Sequence, residues 1–335
     1  MPNPVAIAAD HFVQTLANVF LTPGSTFSLW SLACALVIAA GALLSRRRVR
    51  PRVLLRALFP AWLWRSRSSR ADMGFFLLNV FVSGTLVGWG ILSYGWVVHG
   101  IDAITRGLIG HGAWPVAPLW LREAVMTVAL FLAYDFGYWL DHYLKHKVPA
   151  FWEFHRVHHT AEKLSPLTAY RVHPVDSLIF TNIVTVIMGA VGGALPVLMG
   201  APSPSAMISG TNLILVVFIF AVIHLQHSHI DIRFTGTLGK WLFSPAHHQI
   251  HHSDEARHFD RNMGSCLAVW DWMFGTLVIP TRAEKPAKYG VGPLEATEKP
   301  HSAQDSLLTP FVRAAQILVR GIIRIGQPSG FQPGE

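Results

Sequence analysis

Residues 124–159 read AVMTVALFLAYDFGYWLDHYLKHKVPAFWEFHRVHH. The first part, Ala124 to Leu140, is an apolar run with one acid, Asp135. It is just long enough to cross a bilayer core as a helix, which takes about 17 to 25 residues. The second part holds five histidines in two patterns, His142-x-x-x-His146 and His155-x-x-His158-His159. On a helix, positions three and four apart share a face, so each pattern aims its imidazoles in roughly one direction. Ionisable clusters at a membrane face are costly unless they serve a function. The stretch therefore predicts a bundle of membrane helices capped by a histidine-bearing site.

Working outward, four more runs have the length of a span: Phe27 to Leu44, Met73 to Val98, Ser177 to Gly200 and Ser205 to Leu225. The last two are split by Ala201-Pro-Ser-Pro and read as a helical hairpin. The expected fold class is an all-α integral membrane protein with five crossings, or four if Ala124–Leu140 is partly re-entrant. Composition agrees: of 335 residues, 51% are apolar and 14% charged, against roughly 25% charged in a soluble domain. No basic residue precedes Phe27, so that run reads as a retained anchor and not as a cleaved signal.

The surplus of positive charge is concentrated between the first two runs, in Arg46, Arg47, Arg48, Arg50, Arg52, Arg56, Arg65, Arg67 and Arg70. Short Lys/Arg-rich loops stay in the cytoplasm, which puts this loop inside and the residues before Phe27 outside. Counting crossings then brings the segments after Leu140 and after Leu225 to the same, cytoplasmic side. The basic pI speaks for a membrane surface and not for nucleic acid.

Those two segments carry 14 of the 18 histidines. Beyond the first two patterns come His224, His227 and His229, then His247, His248, His251 and His252, in which His248-x-x-His251-His252 repeats the second pattern, and then His258. Neutral imidazole is the commonest metal ligand. His142, His146, His155, His158, His159, His227, His248, His251 and His252 are the metal-ligand candidates. They are too many for one ion of four to six ligands, so two metals are expected. His224, His229, His247, His258 and His173 are further candidates, as extra ligands or as helpers. His11, His99, His111 and His301 are left to ordinary roles. The carboxylates near the patterns are Asp141, Glu153, Asp176, Asp254, Glu255 and Asp260. Asp141 and Asp176 are the ones expected to accept the second N–H of a ligating imidazole and fix its orientation. Cys34 and Cys266 form no disulfide framework or thiolate site. Trp139, Tyr138, Trp152, Trp241, Trp270 and Trp272 flank the patterns and are expected mainly to anchor at the membrane interface.

In order, these motifs make the chain similar to the fatty acid hydroxylase and sterol desaturase superfamily of membrane di-iron enzymes. The resemblance covers about Ala133 to Pro280 and rests on the two first patterns, Thr168-Ala-Tyr-Arg-Val-His173-Pro174, Gln226-His227-Ser228, Ser244-Pro-Ala-His-His248-Gln-Ile-His251-His252-Ser253, Asn262-Met-Gly264 and Trp270-Asp-Trp-Met-Phe-Gly-Thr276. His229 and His247 add imidazoles to the family pattern, and Met263 stands where an aromatic is common. The resemblance implies an O2-dependent enzyme in which two ferrous ions, held by histidines, attack an unactivated C–H bond of a lipid by hydroxylation, desaturation or ether cleavage. No Gly-rich dinucleotide fingerprint, flavin motif or Cys cluster is present. Electrons would then come from a separate reductase, ferredoxin or cytochrome.

Other classes fit these residues less well. A metal transporter needs polar or ionisable groups along its spans, and between Ile179 and Val222, outside the turn, only Thr181, Asn182, Thr185, Ser209, Thr211 and Asn212 offer polar side chains. Haem ligation needs only two histidines. A zinc hydrolase calls for a carboxylate base inside a histidine pattern, and no pattern has one. The organisation expected is an anchor region, 1–123, with a basic loop at 45–72; a catalytic domain, 124–280; and a polar loop with an amphipathic helix, 281–335. In that helix Arg313, Arg320 and Arg324 fall near one face, which suits either an anionic membrane surface or packing on the rest of the protein.

Overall fold

The computed structural model describes residues 4–45, 50–83, 91–110, 116–292 and 298–326. Arg46, Arg47, Arg48 and His111 lie outside the described residues, as do the middle of the run from Met73 to Val98, residues 293–297 of the polar loop and the side chain of Arg324. The principal helices are α1 (Pro4–Phe20), α2 (Leu29–Ser45), α3 (Arg67–Leu78), α4 (Tyr94–Ile109), α5 (Leu119–Lys147), α6 (Pro149–His159), α7 (Pro174–Leu198), α8 (Leu213–Gln226), α9 (Pro245–His251) and α10 (Thr309–Gly326). Among the described residues, α7 is long and apolar enough to cross a membrane, and α2 and α8 are shorter apolar helices. In the most apolar window of α7, 22% of the residues are buried and most of the others half-buried, as α7 packs against α4 and α5.

Two runs differ from the sequence expectation. Met73–Val98 is not one helix: α3 passes into a π turn at Asn79–Ser83, and α4 starts afresh at Tyr94 after an extended Ser93 and continues to Ile109. The run from Ser205 is not helical at its start. Met207–Ile208 and Thr211–Asn212 form a small antiparallel hairpin, with Ser209 and Gly210 both at positive φ, 50° and 80°. Two such residues make the tight turn that hairpins favour. Asn212 then caps α8 by accepting from the Ile214 N–H at 3.0 Å.

The charge inside the third run is accounted for. Asp135 is fully buried and accepts from the Cys266 and Leu267 N–H groups at 2.9 and 3.2 Å and from Trp270 Nε1 at 2.9 Å. It thereby ties α5 to the loop that follows α9. Between α4 and α7 the backbones approach closely. A Cβ on Gly193 would sit 2.5 Å from the Val98 carbonyl oxygen, so only glycine permits this crossing. The basic loop lies on the histidine side of the bundle. Arg171, just beyond the second histidine pattern, pairs with Asp72 at 2.7 Å with both side chains buried, and donates to the Ser68 carbonyl at 2.7 Å.

The helix near residue 320 packs on the protein. Ala314 is buried against Ala150 and Phe154 of α6, Phe311 packs on Phe154, and Arg313 bonds Glu298 at 2.5 Å. Leu318 and Val319 remain exposed.

Candidate metal site

α5 ends at Lys147, and Pro149 begins α6. Proline disfavours helical backbone at the residue before it, and Val148 is extended, with φ −97° and ψ 109°. This break folds the second pattern back against the first. α9 brings up the third pattern, and the end of α8 brings His227.

The structure gathers the nine ligand candidates into two groups. One holds His142, His146, His155, His159 and His251; the other holds His158, His227, His248 and His252. Within each group the ligand nitrogens lie within 4.8 Å of one another. Each His-x-x-His-His pattern is shared between the groups. Its four-apart pair, 155 and 159 or 248 and 252, enters one group, and its middle histidine, 158 or 251, enters the other. The groups adjoin, with the His159 and His252 rings 4.7 Å apart and those of His248 and His251 5.3 Å apart.

The ring nitrogens are sorted by their partners. Nδ1 of His142 bonds the Met263 carbonyl at 2.9 Å, that of His251 the Arg261 carbonyl at 2.7 Å, that of His155 Asp176 Oδ2 at 2.8 Å, and that of His146 Asp260 Oδ1 at 3.2 Å. In the second group Nδ1 of His158 faces the Arg171 carbonyl at 3.3 Å. Carbonyl and carboxylate oxygens only accept here, so these Nδ1 atoms carry the proton and the lone pair sits on Nε2. The Nε2 atoms converge: His159 is 3.2 Å from His146 and His155 and 3.1 Å from His251, and His248 is 2.8 Å from His227 and 3.1 Å from His252. His142 Nε2 is buried without a hydrogen-bond partner. Burial, and then the neighbouring imidazoles, push His142, His158, His159, His248, His251 and His252 well below the usual histidine value. Burial takes His146 to about 4 and His227 to about 3. Neutral rings whose lone pairs meet at these distances repel one another unless a cation lies between them. The donor set suits divalent transition metals.

The other histidine candidates have local partners. His247 takes the N–H of Ser244 on Nδ1 at 3.0 Å and gives Nε2–H to the Gly239 carbonyl at 3.0 Å, capping α9. His173 caps α7 by accepting from the Val175 N–H at 3.1 Å. His224 meets Ser31 Oγ at 2.9 Å, His229 the Ala57 carbonyl at 2.7 Å, and His258 Glu284 at 2.8 Å. Among the described residues none of these five joins either group. Asp176 Oδ2 takes the Nδ1–H of His155. Asp141 does otherwise: one helical turn before Lys145, it lies 2.6 Å from Lys145 Nζ instead of steadying an imidazole. Lys145 also donates to Asp176. Burial works to raise Asp176, but Lys145 and His155 outweigh it and hold the carboxyl low.

Three supports had no role assigned from the sequence. Asp271 accepts from the N–H groups of Met263 and Gly264, both at 2.8 Å, and from Trp139 Nε1 at 3.2 Å. It thus sets the carbonyl that holds His142. Asn262, in the left-handed region at φ 57°, donates to the His247 and Val278 carbonyls at 3.1 and 2.9 Å. Lys145 is the third. Trp139 is buried by its bond to Asp271 and is not an interfacial anchor, whereas Trp241 and Trp272 are exposed.

A cavity of about 560 Å³ reaches the site. Its walls follow helical spacing: Tyr134, Tyr138 and His142 on α5, Ser177 and Thr181 on α7, and Leu215, Ile219, Ile223 and His227 along α8. The α8 wall runs from Leu215, through the π turn at Ile219–Ile223, to His227 just past the helix end. The cavity is therefore elongated, largely apolar at one end and bounded by both histidine groups at the other.

Residues 127–276 match the family model described as fatty acid hydroxylase. The ornithine lipid hydroxylase OlsE of Rhizobium tropici is 28% identical over 200 residues, which cover 60% of this chain and 54% of that protein. The alkylglycerol monooxygenase of Xenopus tropicalis is 26% identical over 231 residues, 68% of this chain and 45% of that protein. Its Homo sapiens counterpart is 29% identical over 147 residues, 44% of this chain and 29% of that protein. The chain thus spans about half the length, or less, of the curated relatives it matches. No solved structure matches.

Proposed function

Because the chain carries, at residues 127–276, a domain of the fatty acid hydroxylase and sterol desaturase superfamily, we propose that it is a membrane-bound, O2-dependent oxygenase that hydroxylates a C–H bond of a lipid. The observation that carries this reading is the junction of an elongated apolar cavity with two groups of converging imidazole nitrogens. The nine histidines would hold two ferrous ions, five ligands on one side and four on the other. When bound, the irons supply the activation of O2. The protein's part is to keep each imidazole neutral and aimed, through Asp176, Asp260 and the carbonyls of Met263 and Arg261. The helical walls hold a lipid chain beside the site and exclude water from it.

Hydroxylation places one oxygen atom in the lipid and releases the other as water, and the electrons come from a separate reductase, ferredoxin or cytochrome. The catalytic unit is residues 124–280, in a chain that crosses the membrane four or five times. The site faces the cytoplasm, since it shares its side with the arginine-rich loop. The relatives' names, an ornithine lipid hydroxylase and alkylglycerol monooxygenases, favour a polar membrane lipid as substrate. The test is to express the chain in membranes under ¹⁸O2 and compare the lipids with those from a His251→Ala variant. A lipid gaining one labelled oxygen only with the native chain is the expected result. Unlabelled lipids in both would overturn the reading and bring forward the zinc hydrolase or metal transporter.

A further inference from the structure

The histidine end of the cavity holds more polarity than an alkyl chain can use. Asp141, Lys145 and Asp176 line it beside His142, His155 and His158, and all three side chains are almost fully buried. Their contacts form a chain. Asp141 Oδ2 lies 2.6 Å from Lys145 Nζ; Lys145 donates to Asp176 Oδ1 and, at 3.1 Å, to the Asp176 carbonyl; Asp176 Oδ2 accepts from His155. One atom in this chain is left over: Asp141 Oδ1 is buried with no hydrogen-bond partner. An unmatched buried carboxylate oxygen is expensive, and native folds keep one where a partner arrives from outside the chain.

Resting on the oxygenase reading above, we propose that Asp141 is the group that selects and positions the substrate's polar end, its Oδ1 accepting a hydrogen bond from a hydroxyl or ammonium group of the lipid. The substrate class is then a lipid bearing such a donor, held with that end beside the histidine groups and its chain along Leu215, Ile219 and Ile223. The C–H bond that reacts lies within a few bonds of the donor and not at the far end of the chain. A plain acyl ester or hydrocarbon would leave Oδ1 as unsatisfied as before.

The test compares three probes of equal chain length, hexadecylamine, hexadecanol and hexadecyl methyl ether, by native mass spectrometry of the detergent-purified full chain, with metal content measured on the same samples. The amine, the alcohol or both should bind the native chain at least about tenfold more tightly than the ether, as one hydrogen bond to a charged group provides. Preference for the amine alone assigns an ammonium group; equal preference assigns the hydroxyl or any donor. In Asp141→Ala the preference should fall to near unity, with ether binding and metal content unchanged, and the isosteric Asp141→Asn should weaken it several-fold. Equal binding of all three probes to the native chain overturns the proposal without any variant, as does a preference that survives Asp141→Ala. A native chain that shows the preference but carries no metal would instead sink the oxygenase reading alone.

Discussion

The two histidine groups use the same spacing and have different surroundings. In the group of His142, His146, His155, His159 and His251, four far ring nitrogens meet a carbonyl or carboxylate at 2.7–3.2 Å. In the group of His158, His227, His248 and His252, one does, at 3.3 Å, and the Nδ1 atoms of His248 and His252 are buried without a partner. An anchored imidazole arrives at the metal with its tautomer and direction already set, while an unanchored one has to be ordered by the metal. The first group should therefore load first and hold its ion more tightly. It also comes closer to the surface, because Asp260 is 40% exposed and takes both His146 and Lys147.

Breaking the second group's single anchored ring should have the largest effect. Arg171, whose carbonyl faces His158, is held by the buried pair with Asp72. Arg171→Met leaves a buried carboxylate uncompensated and should cost about 3–5 kcal/mol of stability, read as an early unfolding transition in detergent. A variant as stable as the native chain would show that this pair does not fix the ring. Next, Asp176→Asn should weaken metal binding in the first group by about 10- to 100-fold and leave the second unchanged; equal losses in both groups would erase the contrast. Asp260→Asn should act in the same direction at the lower end of that range, since solvent already competes for its carboxylate.

The smallest effect is one of pH on the metal-depleted protein. Burial holds the histidines of both groups below the ordinary value of about 6.5, so the unfolded chain binds protons first as the pH falls. The contribution of the neutral rings to stability is full above about 6.5 and is lost progressively below it. Melting temperatures should decline from about pH 7 downward. A flat profile would mean that the rings are not held neutral by the fold.

Part of this architecture was legible in the sequence because helical spacing is local. Patterns of three and four residues put His155, His158 and His159 on one helix end whatever the rest of the chain does. The sharing of each pattern between two groups was not legible, since it depends on how α6 and α9 face one another. Spacing favoured His248 over His247 but did not show what His247 does. What distinguishes them is that Ser244 and the Gly239 carbonyl occupy both nitrogens of His247. Asp271 lies eight residues from Met263 and far from His142, and no spacing rule links a carboxylate to a backbone turn that in turn holds a ring. The hairpin at Met207–Asn212 was hidden by its apolar surroundings, although Ser209-Gly210 carried the turn chemistry.

The most direct test of the account is metal content of the purified full chain, by elemental analysis, for the native protein and for His251→Ala and His248→Ala. About two irons per chain are expected in the native protein, with one group emptied by each substitution and the site that His248→Ala empties the more weakly held before mutation. No iron in the native chain, or a zinc content unmoved by either substitution, would contradict it.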